Sequence, residues 1–475
     1  MSASPRCSRA AVERVLVQLA REAPQAEVLR DLGQLEAYAH DASEVEPVLP
    51  DAVVRARHRD EVAALLRAAH QARVPVTPRA GGSGRVGGAV PLRGGIVLSV
   101  EKMQALVDID VPNRIAVVQP GVITGALHQM VEQEGLFYPP DPNSLEWCAI
   151  GGNLACNAGG PRAFKYGVTR NYMLGLQAVT GDGTLLELGK RTLKGVTGYD
   201  LAALMVGSEG TLAVITEATL RLVALPESVV TLLAFLPDDA AIGRAVCEAM
   251  PPGLTPRCME LLDSVALDIV RQDVGLAVPS GAKAMLLVEL DGTEAVLEAD
   301  MERCGNALLE AGAVDVLVAQ SAHERERLWA ARRQLSDSTR KLARCKLSED
   351  VVVPRTELGG LLLYCQQLAD RHRLLMPTYG HAGDGNLHVN FLWNDAVERP
   401  RVDAAIQDLF THVIARGGTL SGEHGIGVLK APYLPLEQSP ALIAMQQRVK
   451  TLFDPRGVLN PGKIFPAGRR GHGVC

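Results

Sequence analysis

Aromatic residues make up only 4% of the 475-residue chain, too few for the base-stacking platforms that hold single-stranded nucleic acid. Neither sign of charge dominates: 48 Lys and Arg stand against 54 Asp and Glu, giving a net charge of −6 with both signs interspersed. That balance excludes a polyanion-binding surface, so no nucleic-acid or anionic-membrane partner is expected. Long apolar runs are missing too; with no stretch of about 18 uncharged apolar residues, no integral membrane contact is expected. The nine cysteines are scattered, with no Cys-x-x-Cys pair. An odd, dispersed set reads as reduced thiols of a cytoplasmic protein and excludes an iron–sulfur framework within the chain. Near the start, Glu13, Arg14, Arg21 and Glu22 interrupt the apolar residues. A secretory leader's apolar run is thereby excluded, and an amphipathic helix over about 10–21 is expected.

What is present is a 47% hydrophobic share in a chain long enough for two or three domains. Residues 52–57 read as a strand, Asp60 starts a helix, and 74–77 reads as a second strand, together a βαβ unit. Further strands are expected at 95–100, 114–119, 174–180, 185–188 and 212–222, and Gly181-Asp182-Gly183 marks a hairpin. Pro226 is the best boundary. Beyond it, alternating apolar strands (229–235, 284–290) and Ala/Leu/Glu helices read as an α+β domain to about 415. The tail at 454–464 returns to the turn-rich style of the first part. The expected division is therefore 1–225, 226–415 and a returning segment, 416–475.

Four glycine-rich stretches, 78–88, 139–160, 207–211 and 460–463, stand out from the core-forming segments. Glycine pairs at 81–82 and 87–88 permit positive φ and let backbone N–H groups approach an anion such as a pyrophosphate. Taken singly, each is equally well read as a tight turn, because none is a P-loop or a dinucleotide fingerprint in the usual register. Four together favour a large cofactor, since long ordered glycine loops cost entropy.

Two downstream motifs carry the chemistry: Gly-His-Ala-Gly-Asp-Gly-Asn-Leu-His-Val-Asn at 380–390 and Ser-Gly-Glu-His-Gly-Ile-Gly at 421–427. Imidazole and carboxylate are the usual mixed ligands of a catalytic divalent ion, and a further His serves as a proton carrier near neutrality. Glycines at 380, 383 and 385 argue against a helix there. A loop leading into a strand over 387–391 is expected, with His388 and Asn390 on one face and Leu387, Val389 and Phe391 on the other. Two separately satisfied histidines on glycine loops is the competing reading of the pattern alone.

Arg79-Ala-Gly-Gly-Ser-Gly, Pro140-Asp-Pro, Gly151-Gly-Asn, Asn157-Ala-Gly-Gly, Tyr166-Gly, Gly207-Ser-Glu-Gly-Thr-Leu and Asn460-Pro-Gly-Lys resemble the flavin domain of the vanillyl-alcohol oxidase / p-cresol methylhydroxylase superfamily. The His-containing motifs narrow the resemblance to its FAD-linked D-2-hydroxy acid dehydrogenase branch. That branch holds the glycolate oxidase flavoprotein subunit, D-lactate dehydrogenases and D-2-hydroxyglutarate dehydrogenases. The resemblance covers about 40–466. It implies an α+β fold, with a two-subdomain FAD-binding domain of p-cresol methylhydroxylase type plus an α+β substrate cap. FAD contacts implied by it are Pro78, Arg79, Ala80, Gly81, Gly82, Ser83, Gly84, Pro140, Asp141, Gly151, Gly152, Asn157, Gly159, Tyr166, Gly167, Glu209, Gly210, Ile215 and Asn460. The early loop has no His, so FAD is expected to be non-covalent.

The same resemblance implies His381, His388 and Glu423 as ligands of a divalent metal, zinc first, with manganese or iron as alternatives. It implies His424 as the general base. Arg332, Lys346 and Asn390 are the implied substrate contacts, and Asp384 a turn residue. The implied reaction is oxidation of a small D-2-hydroxy acid to the 2-oxo acid, with hydride passing to flavin N5. Reoxidation is expected through a quinone, an electron-transfer flavoprotein, a cytochrome, an Fe-S subunit or oxygen, and the assembly is expected to be a homodimer or a complex subunit. A non-redox rival on the same fold is an alkyl-dihydroxyacetonephosphate synthase-like transferase, and an inactive flavin-holding protein is a third reading.

Overall fold

The computed structural model describes residues 7–274, 277–319 and 321–466. Its elements gather into two units. The first takes described residues from 7–158, 168–225 and 423–466, the second from 159–167 and 226–422.

In the first unit, helix α1 (Arg9–Glu22) buries Val12, Val15, Leu16 and Leu19 at helical spacing, as the amphipathic reading expects. Strands β1 (Glu27–Leu29) and β2 (Ala52–Arg55) are followed by α2 (Arg59–Ala72), β3 (Val76–Arg79) and β4 (Ile96–Ser99). The sheet order is β1-β2-β4-β3, and β2, α2 and β3 form the expected βαβ unit with β4 lying between its two strands. β2 and β3 do not pair; β4 is parallel to both. The reason is chemical: Ile-Val-Leu-Ser is buried at every position and suits the middle of a sheet. β3 carries Pro78, which has no N–H to give a second neighbour and belongs near an edge.

A second sheet of the same unit is antiparallel. It comprises β5 (Leu106–Asp110), β6 (Ile115–Val118), β7 (Met173–Thr180), β8 (Leu185–Gly189) and β9 (Ala213–Arg221), in the order β5-β6-β9-β7-β8. The β7–β8 hairpin turns at the Gly181-Asp182-Gly183 signal, where Gly183 has φ +88°.

The second unit is built on a seven-stranded sheet of β10 (Ser228–Leu236), β11 (Cys258–Leu262), β12 (Ala284–Gly292), β13 (Asp315–Val318), β14 (Cys345–Val352), β15 (Thr378–His381) and β16 (Asn386–Trp393). Its order is β13-β10-β12-β11-β15-β16-β14. Every pairing given for it is antiparallel. Helices α3 (Ser264–Val274) and α4 (Ala322–Arg340) cover one face, where Phe235, Leu262, Leu267, Met285, Leu287, Leu335 and Tyr379 form a buried apolar cluster. Among the described residues, no helix is long and apolar enough to cross a membrane.

Candidate functional site

In the first unit β3 runs out through Pro78 and Arg79 into the glycine loop. Arg79 donates to the His40 carbonyl at 2.5 Å. Gly82 has φ +72°, which disfavours any side chain there, and a Cβ would also displace the Arg79 guanidinium, 2.2 Å away. Gly81 is equally restricted, by the Trp147 carbonyl at 2.6 Å. Gly84, Gly88 and Gly152 differ. An added Cβ would meet only Asp41 at 3.8 Å, nothing within 4 Å, and Ala80 at 3.7 Å respectively. At these three glycines the surrounding protein atoms would leave room for a side chain. Ala80 packs against the first unit's core, and Ser83 lies between Gly82 and Gly84 on the same loop.

Glu209 and Asn460 tie this loop to the others. Glu209, at φ +52°, accepts the N–H groups of Ile426 and Gly427, each at 2.8 Å. Burial raises its carboxyl pKa against those bonds. Asn460, at φ +43°, donates to the Gly88 and Glu209 carbonyls at 3.0 and 2.8 Å. Gly210 has φ +64° and sits against Pro78, and Ile215 is buried in β9 opposite Ala178. Lys463 donates to the Gly87 and Val90 carbonyls; burial brings its pKa down to about 7, although Asp41 and Glu209 pull it upward. Elsewhere in this unit the Pro140 carbonyl pairs with the His128 ring at 2.9 Å and Asp141 is buried. Gly151 packs on Pro120, and Asn157 caps its helix in the left-handed conformation. Gly159, Tyr166 and Gly167 instead belong to the second unit. There Tyr166 donates to Asp291 at 2.7 Å and Lys165 forms an ion pair with the same carboxylate.

The second unit brings His381 and His388 together across the turn at 382–385, as the loop-to-strand reading expects. His381 closes strand β15, which forms a hairpin with β16. Gly380 allows the close pairing: a Cβ there would sit 2.4 Å from the Asn386 carbonyl. Gly385, at φ +82°, turns the hairpin under the Val353 carbonyl. Residues directly opposite on antiparallel strands share a face. The rows Glu260–His381–Asn386 and Leu262–Tyr379–His388–Asp350 therefore share one. The two imidazoles cross edge-to-face with centroids 5.3 Å apart, and one ring nitrogen of each lies within 4.8 Å of the other.

Helix α4 supplies Arg332 to that face. Its guanidinium forms an ion pair with Glu260 at 2.6 Å and lies over the Tyr379 ring at 5.0 Å. The Arg332 Nε is buried and meets no acceptor among the described residues. From β14, Lys346 donates to the Ser336 carbonyl and hydroxyl, one helical turn beyond Arg332, and to the Thr339 hydroxyl at 2.8, 3.1 and 2.7 Å. Asn390 donates to the Pro377 and His388 carbonyls at 2.9 and 3.0 Å, so a substrate contact by its amide would exchange one of these bonds. Asp384 accepts the Asn386 N–H at 3.3 Å, in keeping with a turn residue.

Two buried acids on this face escape a reading of the sequence. Glu260 is held by His381 at 2.5 Å as well as by Arg332. Asp350 accepts from the Asn386 amide, the Ser421 hydroxyl and the Gly422 N–H at 2.6, 2.9 and 3.0 Å. Glu260 is a single acid inside an apolar strand, Cys-Met-Glu-Leu-Leu, and Asp350 is one of two adjacent acids, Glu349 and Asp350, leading into Val-Val; that was the available signal. The chain leaves the second unit after Gly422. Glu423 and His424 follow, with Gly422 pinned by Asp350 on one side and Ile426 and Gly427 pinned by Glu209 on the other.

Residues 225–464 match the family of FAD linked oxidases, C-terminal domain, and residues 50–189 match the FAD binding domain family. Glycolate oxidase subunit GlcD of Bacillus subtilis is 40% identical over 435 residues, covering 91% of this chain and 93% of that protein. D-lactate dehydrogenase of Anaerostipes hadrus is 36% identical, covering 90% and 92%. D-2-hydroxyglutarate dehydrogenase of Stutzerimonas stutzeri is 34% identical, covering 93% and 96%. Among solved structures, p-cresol methylhydroxylase with substrate bound aligns with a TM-score of 0.81 at 15% identity, over 97% of this chain and 98% of that one, a likeness of fold. The α+β architecture, the glycine loops that leave room for a bound group, and relatives alike over nine-tenths of their length agree: the chain belongs to the FAD-linked oxidases and is an FAD-linked oxidoreductase.

Proposed function

We propose that this enzyme oxidises a small D-2-hydroxy acid to the 2-oxo acid, with His381, His388 and Glu423 holding a divalent cation. The observation that carries the reading is the convergence, on one sheet face of the second unit, of two imidazoles and an arginine with a buried, unspent Nε. The relatives' names, glycolate oxidase, D-lactate dehydrogenase and D-2-hydroxyglutarate dehydrogenase, support a 2-hydroxy acid substrate.

The donor set fits a cation. His381 gives Nδ1 to Glu260, which turns Nε2 away as the coordinating nitrogen, an arrangement usual for metal-bound histidine. Two imidazoles and a carboxylate suit zinc, and manganese or iron are accepted by the same nitrogen and oxygen donors. When bound, such an ion supplies Lewis-acid polarisation of the substrate hydroxyl. FAD, held along the 78–88, 207–211 and 460–463 segments, supplies the two-electron acceptor.

The chain's own residues do the rest. Arg332 takes the substrate carboxylate through Nε and the remaining edge of its guanidinium, a planar fork already oriented by Glu260 and Tyr379. Lys346 adds a second cation to that patch, and Asn390 holds the hairpin that orients His388. His424, carried on a backbone pinned at both ends, accepts the hydroxyl proton at a ring nitrogen. Removal of that proton makes departure of the Cα hydrogen with its electron pair favourable.

Anaerobic addition of glycolate, D-lactate and D-2-hydroxyglutarate to the purified flavoprotein tests the assignment. At least one should bleach the flavin absorbance. A protein whose flavin is reduced by dithionite but by no 2-hydroxy acid would overturn it.

A further inference from the structure

Glu260 is a fully buried carboxylate in the middle of an apolar strand. Leucine would fill that place more cheaply, because a buried ion pair is rarely more stable than a well-packed apolar replacement. Its two oxygens are divided: Oε1 lies 2.5 Å from His381 Nδ1, and Oε2 lies 2.6 Å from an Arg332 terminal nitrogen. His381 and Arg332 are themselves only 5% and 8% exposed, so bulk solvent screens these contacts little. The partners come from different places: His381 is the cross-strand neighbour of Glu260, whereas Arg332 descends from the covering helix α4.

Resting on the reading above, we propose that Glu260 is a positioning residue, one carboxylate that aligns the cation ligand His381 and the substrate-carboxylate clamp Arg332. A carboxylate is acceptor-only, so His381 must present its proton at Nδ1 and its lone pair at Nε2. By the same contact Arg332 is turned so that one edge is occupied and Nε is left for an incoming carboxylate. The spacing between cation and clamp is thus fixed by a single rigid side chain. A 2-hydroxy acid needs that spacing, because its hydroxyl and carboxylate are on adjacent carbons.

Glu260→Gln is the decisive substitution. Its amide keeps one acceptor but turns an NH₂ toward either His381 or Arg332. Facing the imidazole, it imposes the tautomer with the proton on Nε2; facing the guanidinium, it sets donor against donor. Zinc affinity of the purified flavoprotein, read by competition with a chromophoric chelator, should fall about 10–100-fold. KM for the hydroxy acid should rise several-fold, while flavin content and flavin spectrum stay those of the parent. Parental zinc affinity, parental KM, or flavin loss in proportion to zinc loss would each overturn the inference. Should Glu260→Gln fail to accumulate as folded protein, Glu260→Asp, which keeps the charge at shorter reach, should show an intermediate zinc affinity; an unchanged one overturns the proposal. His388→Ala separates the two levels. If it retains zinc, the cation reading fails; if it loses zinc while Glu260→Gln keeps it, only the role of Glu260 fails.

Discussion

Asp350 accepts the Gly422 backbone N–H at 3.0 Å with the same oxygen that takes the Ser421 hydroxyl at 2.9 Å, and it is fully buried. Its other oxygen takes the Asn386 amide at 2.6 Å. The carboxylate thus joins the hairpin carrying His388 to the stretch that hands on Glu423 and His424. Asp350→Ala would take the side-chain acceptor from the half-buried Ser421 hydroxyl, at about 1–3 kcal/mol, and would leave the Asn386 amide and the Gly422 N–H only their bonds to the Val351 and residue-350 backbone carbonyls. We expect Asp350→Asn, which keeps shape but offers one acceptor fewer, to lower the urea midpoint and to cut turnover at least ten-fold with flavin content unchanged. Full turnover in Asp350→Asn would remove Asp350 from the account.

His424→Asn should bind FAD as the parent does and slow flavin reduction by about 10²–10⁴, the contribution of a positioned general base. Stopped-flow absorbance in the absence of oxygen reads this directly. Undiminished reduction would assign the proton to another group.

The glycines of the loops separate into two kinds with opposite expected behaviour. Gly385→Ala puts a Cβ against the Val353 carbonyl at a φ of +82°, so it should destabilise the second unit by about 1–3 kcal/mol. Gly88→Ala meets no protein atom within 4 Å. It should leave the unfolding midpoint of the flavin-free protein unchanged and weaken FAD binding at least ten-fold. Equal FAD affinity in Gly88→Ala would place the cofactor elsewhere.

Lys463 gives a signed pH dependence. Burial lowers its pKa from 10.5 to about 7, so between those values the folded protein binds fewer protons than the unfolded chain. Stability contributed in this way is present above 10.5 and is lost as pH falls toward about 7, by up to about 1.4 kcal/mol per pH unit. Neighbouring Asp41 and Glu209 act in the opposite direction by favouring the charged lysine. Chemical unfolding at pH 7 and pH 9 should therefore show the parent gaining stability relative to Lys463→Met. A parallel pH response in the two proteins would contradict a depressed lysine.

Much of this was legible in the sequence where local chemistry decides structure. The alternation in β16 puts His388 and Asn390 on one side because strand side chains repeat every two residues. The glycines of 380–385 excluded a helix, and the turn at 181–183 announced its hairpin. What the sequence does not display is partnership across distance. Glu260 and His381 are 121 residues apart. Nothing local tells which buried acid faces which histidine until the strand order places β11 beside β15. The same limit hid the insertion of β4 between β2 and β3, since pairing order depends on burial of whole strands rather than on succession. Tyr166 was readable as a motif residue, but its attachment to the second unit rests on Asp291, far along the chain.

The central claim is that hydroxy-acid oxidation requires a cation held by His381, His388 and Glu423. The most direct measurement is anaerobic flavin bleaching by a substrate of the panel, before and after chelation, with metal and flavin assayed in the same sample. Chelated protein should retain its flavin, lose bleaching by orders of magnitude, and regain it on addition of zinc or manganese. Bleaching at an undiminished rate in metal-free protein would contradict the account.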